Sequence, residues 1–324
     1  MQTNWMTRRK ALRIALAATA GIGALAAFGA ASAQDLATVR VERSPVGQFQ
    51  GLYIADELGY FKERGIKVEI NVGASPDGAL AQLMSNQKEL AMTGAAPLTA
   101  AVANGMPVVA VLNAQDQNPT PTFGLMLKAD SPIKSMADLK GKKIGLPGIA
   151  SPQGTALLMA LEAAGMTRDD VELVNLPFPG VLAAIEAGTV DAGVPIGLFY
   201  NLAVQQGYRE FREVFDNAVQ NSAAVFFAAN KAWADQNVDL LKRFNEAMTL
   251  AYEYANAHPE KVREIDSQQT QLPKDFIATR EIQPFEAGFD AAAWATEAEH
   301  FAKFGFISRV PDPSEYIWEH APKQ

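Results

Sequence analysis

The 324-residue chain contains no cysteine. That absence excludes disulfides, thiolate metal ligands, a thiol nucleophile and a lipid anchor on an N-terminal cysteine. Histidine is nearly as scarce. His258, His300 and His320 all fall in the C-terminal third, and none stands at metal-ligand spacing from another. Capping or solvated roles are expected for all three. A nucleophile elbow, a phosphate-binding loop and a dinucleotide fingerprint are also missing, because Gly21-Ile22-Gly23 sits inside an N-terminal leader. Beyond that leader no apolar run reaches the ~20 residues that span a bilayer. The expectation is a protein that is not an enzyme, does not cross a membrane, and carries neither metal nor cofactor.

Basic residues are outnumbered too, at 28 Lys and Arg against 36 Asp and Glu. Residues 1–33 place Arg8, Arg9, Lys10 and Arg13 before an Ala/Gly-rich apolar run that closes on Ala31-Ser32-Ala33, the pattern of a cleavable export signal. The Arg8-Arg9 pair is twin-arginine-like, with Ala11 where an aromatic residue is common. A general secretory signal with two adjacent arginines by chance is the alternative. Removing those four basic residues leaves 24 against 36, a charge near −12. Phosphate binding needs a basic surface, so nucleic acid is not an expected partner. An exported, soluble, unanchored protein is expected in the periplasm.

What the chain does have is an echo of itself. In residues 83–91 and again in 185–193, an apolar helix stops at Asn86 or Gly188, an acid follows at Glu89 or Asp191, and a strand begins. Asn and Gly are the residues that most readily take the left-handed conformation that ends a helix. Upstream, each copy shows strand, helix and strand, at 39–42, 49–64 and 68–72, then at 143–146, 155–164 and 171–176. Two similar α/β lobes are expected, with a cleft between them. The polar, proline-bearing stretch 115–121 suits a crossing between lobes and 214–229 suits the return, with mostly helical sequence from 224 onward. The expected division is residues 34–118 plus 224–324 for a discontinuous lobe one, and 119–223 for lobe two.

Parallel strands joined by right-handed helical crossovers align strand C-termini and the following helix N-termini along one edge. Candidate binding residues are therefore sought there. Ser44, Gly47, Gln48 and Phe49 form the first such turn: Gly47 lets backbone approach closely, Gln48 donates or accepts, and Phe49 either stacks on a ligand or fills the core. The matching turn holds Ser151, Gln153, Gly154 and Thr155, whose free amides at a helix start can hold an anion. Ser151 before Pro152 equally has the form of a helix N-cap. The third pair of loops, Gly94-Ala95-Ala96 and Pro195-Ile196-Gly197, either admits a ligand to the backbone or packs helix to sheet. Gln115, Asn118, Asn221 and Ser222 lie on the crossings. Arg43, which ends the first strand, is the one cation near this cleft and the candidate partner for an anionic ligand.

Several segments carry a more specific likeness: Pro45-Val46; residues 55–69 with Gly59-Tyr60-Phe61-Lys62; residues 83–91; Gly105-Met106-Pro107-Val108; residues 133–145 with Asp138-Leu139-Lys140-Gly141-Lys142-Lys143; and residues 187–192. Together they resemble the solute-binding proteins that serve ATP-driven importers of nitrate, sulfonates, taurine and thiamine-precursor pyrimidines. The resemblance covers nearly all of the mature chain. It implies a type II periplasmic-binding-protein fold, two α/β lobes each with a mixed, mostly parallel sheet flanked by helices. It also implies hinge closure on one small-molecule solute and delivery to an inner-membrane permease with its ATPase. A monomer is expected. Pro152-Gln153 departs from the pattern common in sulfonate binders, and residues 194–197 lack the tryptophan or acid that often accompanies Pro195. Those departures point away from taurine and nitrate, toward an organic anion such as a sulfonate or an aromatic or aliphatic carboxylate. The alternatives are a periplasmic sensor and a pyrimidine-synthase-like enzyme on the same fold, whose cysteine-rich segment this chain lacks.

Overall fold

The computed structural model describes residues 36–45, 47–73, 76–117 and 121–324. The expected export signal at 1–33 and the candidate residue Asn118 lie outside them. The first strands are β1 (Ala37–Arg43), β2 (Ile66–Val72), β3 (Leu90–Thr93) and β4 (Val108–Asp116). They are followed by β5 (Leu125–Leu127), β6 (Lys143–Leu146), β7 (Glu172–Asn175), β8 (Ala192–Gly193), β9 (Arg209–Phe211) and β10 (Ala223–Asn230). These form two five-stranded sheets, ordered β2-β1-β3-β10-β4 and β7-β6-β8-β5-β9. In the first, β1 runs parallel to β2 and β3 while β10 is antiparallel to β3 and β4. In the second, β6 runs parallel to β7 and β8 while β5 is antiparallel to β8 and β9. The sequence echo is thus an echo of topology. Because β10 comes home beside β4, the first sheet is assembled from two separate stretches of chain.

Burial explains the strand composition. Every residue of β4 is buried, as its run of apolar residues requires where helices cover both faces of a sheet. The larger core joins Val41, Leu90 and Val111 of the first sheet to Phe226, Phe244, Trp294 and Phe301. The second joins Leu125, Ile144 and Leu146 to Leu157 and Leu161. Each fully buried side chain of this size contributes roughly 1.5–3 kcal/mol.

The stretch 49–64, read as one helix, is two: Gln50–Glu57 and Tyr60–Glu63. Gly59 between them sits at φ 78°, and a helix does not propagate through a left-handed residue. The helix-stopping residues of the echo take the same conformation, Asn86 at φ 56° and Gly188 at φ 70°. The two acids then repeat one contact. Glu89 accepts from the Arg40 backbone N–H at 2.7 Å and its own N–H donates to the Arg40 carbonyl at 3.1 Å. Asp191 does the same with Lys143, at 2.9 Å in both directions. Each acid pins the entry of one parallel strand to its neighbour, at the edge opposite the strand C-termini. Among the described residues no helix is long and apolar enough to cross a membrane.

Candidate functional site

A shallow recess, partly open to solvent, lies where the turn after β1 meets the loop after β8. Gly47, Gln48 and Gln115 border it from the first sheet. Thr122, Gly197, Leu198 and Asn201 border it from the second, and Arg280 and Gln283 reach it from the C-terminal third. Gly47 lies at φ 84°, and a β-carbon there would stand 3.0 Å from the Val225 side chain, so the close approach requires glycine. Gln48 is buried and its Nε2 donates to the Gln283 carbonyl, which ties the first turn to the C-terminal segment. Across the recess the Gly197 N–H donates to the Thr122 carbonyl at 2.7 Å. Leu198 packs with Phe276 and Ile277.

Among the described lining residues the one charged side chain is Arg280, and it is balanced. Asp266, fully buried, accepts from Arg280 Nε at 2.7 Å and from the same guanidinium's second nitrogen, while Gln50 Nε2 donates to its other oxygen at 2.6 Å. Burial pulls the Arg280 pKa down, and the adjoining Asp266 carboxylate works against that shift. The remaining polar side chains are the carboxamides of Gln48, Gln115, Asn201 and Gln283 and the hydroxyl of Thr122. Carboxamides and a hydroxyl supply both donors and acceptors without charge. Among the described residues no histidine, lysine or acid side chain lines the recess.

The structure brings Gly47, Gln48 and Gln115 together at this recess and places the other described candidates elsewhere. Phe49 is fully buried in the first core, edge-on to Tyr53 and covered by the Arg43 guanidinium 4.0 Å above its ring. Arg43 is itself buried and donates to Tyr53 Oη, the Ser44 carbonyl and the Gln269 carbonyl at 3.0–3.1 Å. Ala95 and Ala96 are buried in the helix Ala95–Ala103, and a β-carbon on the preceding Gly94 would stand 3.4 Å from the Ala224 carbonyl oxygen. Ser151 caps the helix Pro152–Ala163, accepting from Gly154 N–H at 3.0 Å and donating to the Gly148 carbonyl at 2.7 Å. Gly154 is required by space, since a β-carbon would stand 1.9 Å from the Ile149 carbonyl oxygen. Gln153 is half-buried beside it, and Thr155 is buried and turned toward Glu297. Pro195 is buried, and Ile196 bridges to Phe123. Asn221 and Ser222 pair through the backbone with Gln117 on the crossing.

Comparison with known proteins fits this arrangement. The family model described as NMT1/THI5 like matches residues 46–262. The chain belongs to the NMT1/THI5-like family. Among relatives, a Haemophilus influenzae protein named for thiamine biosynthesis is 28% identical over 284 residues, covering 83% of this chain and 87% of its own. The formylaminopyrimidine-binding protein of Halalkalibacterium halodurans is 28% identical over 214 residues, 65% of this chain and 63% of its own. Of solved structures, the periplasmic aliphatic sulphonate binding protein SsuA from Escherichia coli superposes with a TM-score of 0.73 at 23% identity, covering 88% of this chain and 98% of that one. The fold of this NMT1/THI5-like chain is therefore that of the periplasmic solute-binding proteins of ABC importers.

Thr122, Leu198, Asn201, Arg280 and Gln283 escaped the sequence reading. Asn201 lies one turn into the helix Leu198–Gln205, so extending the third loop by a turn reaches it. Arg280 and Gln283 follow the short helix Lys274–Thr279 in a stretch without periodicity, and no local pattern marks them.

Proposed function

We propose that this chain is an exported solute-binding component of an ABC importer, which holds a small solute in the recess between its two sheets and passes it unchanged to a membrane permease and its ATPase. The periplasm is its site of action, and one chain suffices for binding. The solute is a neutral, flat, hydrogen-bonding molecule of the substituted-pyrimidine kind. The observation that carries this reading is a recess lined by carboxamides whose one guanidinium is already balanced by the buried Asp266. A permanent anion such as a sulfonate would meet no uncompensated cation there, whereas alternating ring nitrogens and exocyclic amines match glutamine and asparagine side chains. The names of the two relatives, one for thiamine biosynthesis and one for a formylaminopyrimidine, support the same solute class. Release of the solute unchanged follows from a lining without nucleophile or general base.

Isothermal titration against a formylaminopyrimidine and an alkanesulfonate, on wild type and on Gln115→Leu, tests the reading. The pyrimidine should bind wild type and lose about tenfold in affinity in the variant, equivalent to about 1.4 kcal/mol. Binding of the sulfonate instead overturns the charge-balance argument, and binding of neither overturns the assignment of the recess.

A further inference from the structure

The helix Ala291–Lys303 ties the two sheets' cores together. Trp294 and Phe301 are fully buried in the first core, and Trp294 Nε1 donates to Thr99 Oγ1 at 3.1 Å. Just past its end, Phe304 and Phe306 pack against the second core. Midway, Glu297 meets the helix Pro152–Ala163 of the second sheet. Thr155 Oγ1 lies 2.7 Å from Glu297 Oε1, and both residues are 1% exposed.

No cation reaches this carboxyl among the described residues. The helix Ala95–Ala103 brings no titratable group to the interface. The helix Pro313–Tyr316 brings Glu315, which is held by Arg309, and Tyr316, whose ring packs at a tilt against Trp294. Pro152–Ala163 brings Glu162, which is bound by Lys303. Glu299 and His300 complete the set on Glu297's own helix.

Proton bookkeeping at Thr155 then distinguishes two states. Its hydroxyl has one proton and two acceptors in reach, Glu297 Oε1 and the Pro152 carbonyl at 2.9 Å. With Glu297 ionised, that proton is drawn to the carboxylate and a buried charge is left without a cation. With Glu297 protonated, the carboxyl donates to Thr155 Oγ1 and Thr155 donates to Pro152, so both bonds form. We propose that Thr155 and Glu297 form a latch between the two halves of the protein that fastens when Glu297 is protonated, so that closing the halves takes up a proton. Burial pushes the Glu297 carboxyl up from its ordinary 4.5 to about 7, the direction this requires. A raised value makes the latch fully favourable below the ordinary carboxylate range and releases it as pH rises through neutrality. One proton limits the linked effect on closure to about tenfold per pH unit.

The test uses the solute-free protein, with carbon-13 NMR of the glutamate carboxyls and small-angle X-ray scattering from about pH 5.5 to about pH 8.5. One carboxyl should titrate near neutrality in wild type and vanish in Glu297→Gln. The radius of gyration should grow along the same curve in wild type and stay at its low-pH value in the variant, whose amide is neutral throughout. No carboxyl above the ordinary range, or a titration with an unchanged radius, overturns the latch. Should Glu297→Gln not fold, Thr155→Val reports instead: an expanded radius at both ends of the pH range is expected, and a wild-type curve overturns the proposal.

Discussion

Replacing Asp266 by Asn strikes the charge balance of the recess directly. The exchange preserves size and leaves an oxygen for Gln50 Nε2, which lies 2.6 Å from Asp266 Oδ1, but it removes the charge opposite Arg280. Arg280 is 3% exposed and Asp266 0%, so the guanidinium is stranded in protein. Breaking a buried pair from one side costs about 3–5 kcal/mol. Because Arg280 borders a recess open to solvent, the lower end, about 3 kcal/mol, applies. At ~2–4 °C per kcal/mol for a chain of this size, the melting midpoint should fall by roughly 6–12 °C. The same change makes the recess net positive. Sulfate or a short alkanesulfonate should then stabilise the variant and not wild type, by about 2.7 kcal/mol at a hundred times its dissociation constant. Thermal unfolding followed by circular dichroism, with and without sulfate, reads both effects. Adding Arg280→Met to Asp266→Asn should recover most of the loss, since no buried charge then remains. A fall of less than about 2 °C, or the same sulfate response in both proteins, refutes the reasoning.

Two further outcomes follow from geometry away from the recess. Gly154→Ala places a methyl 1.9 Å from the Ile149 carbonyl oxygen, a backbone atom that cannot rotate aside, and should destabilise by about 3 kcal/mol in urea unfolding; an unchanged midpoint contradicts the packing described. Burial pushes the Glu89 pKa up, but hydrogen bonds from the Arg40 side chain and backbone outweigh it and hold the carboxyl below its ordinary value. A lowered value gives stability that is present above the ordinary carboxylate range and lost as pH falls through the lowered value. Glu89→Ala should cost about 1–2 kcal/mol at neutral pH and flatten the acid limb of stability against pH, whereas an acid limb as steep as wild type assigns that role to other groups.

The features legible in the chain are those with local causes. Asn86 and Gly188 end helices because of their own backbone freedom, and Ser151 caps a helix three residues from the amide it accepts. One misread boundary, at Gly59, was a helix-stopping glycine taken as interior because the apolar pattern resumes at Phe61, and another was the onset of helix at 224, where β10 runs to Asn230. Phe49 illustrates the opposite limit. A strand-to-helix turn places it at the right edge, but which way its ring faces depends on Tyr53, Arg43 and the rest of the core.

The sequence by itself determined two similar α/β halves, their strand, helix and turn order, and the loops after β1, β6 and β8 as the edge to search. Periodicity, capping and turn chemistry act over a few residues, so one strand of text carries them. Only the tertiary structure decided which residues meet at the recess, that Arg280 is balanced by Asp266, and that Glu297 faces Thr155 across 142 positions of chain. Those contacts form when distant segments are driven together by burial of a shared core, and nothing in the neighbourhood of either partner announces the other.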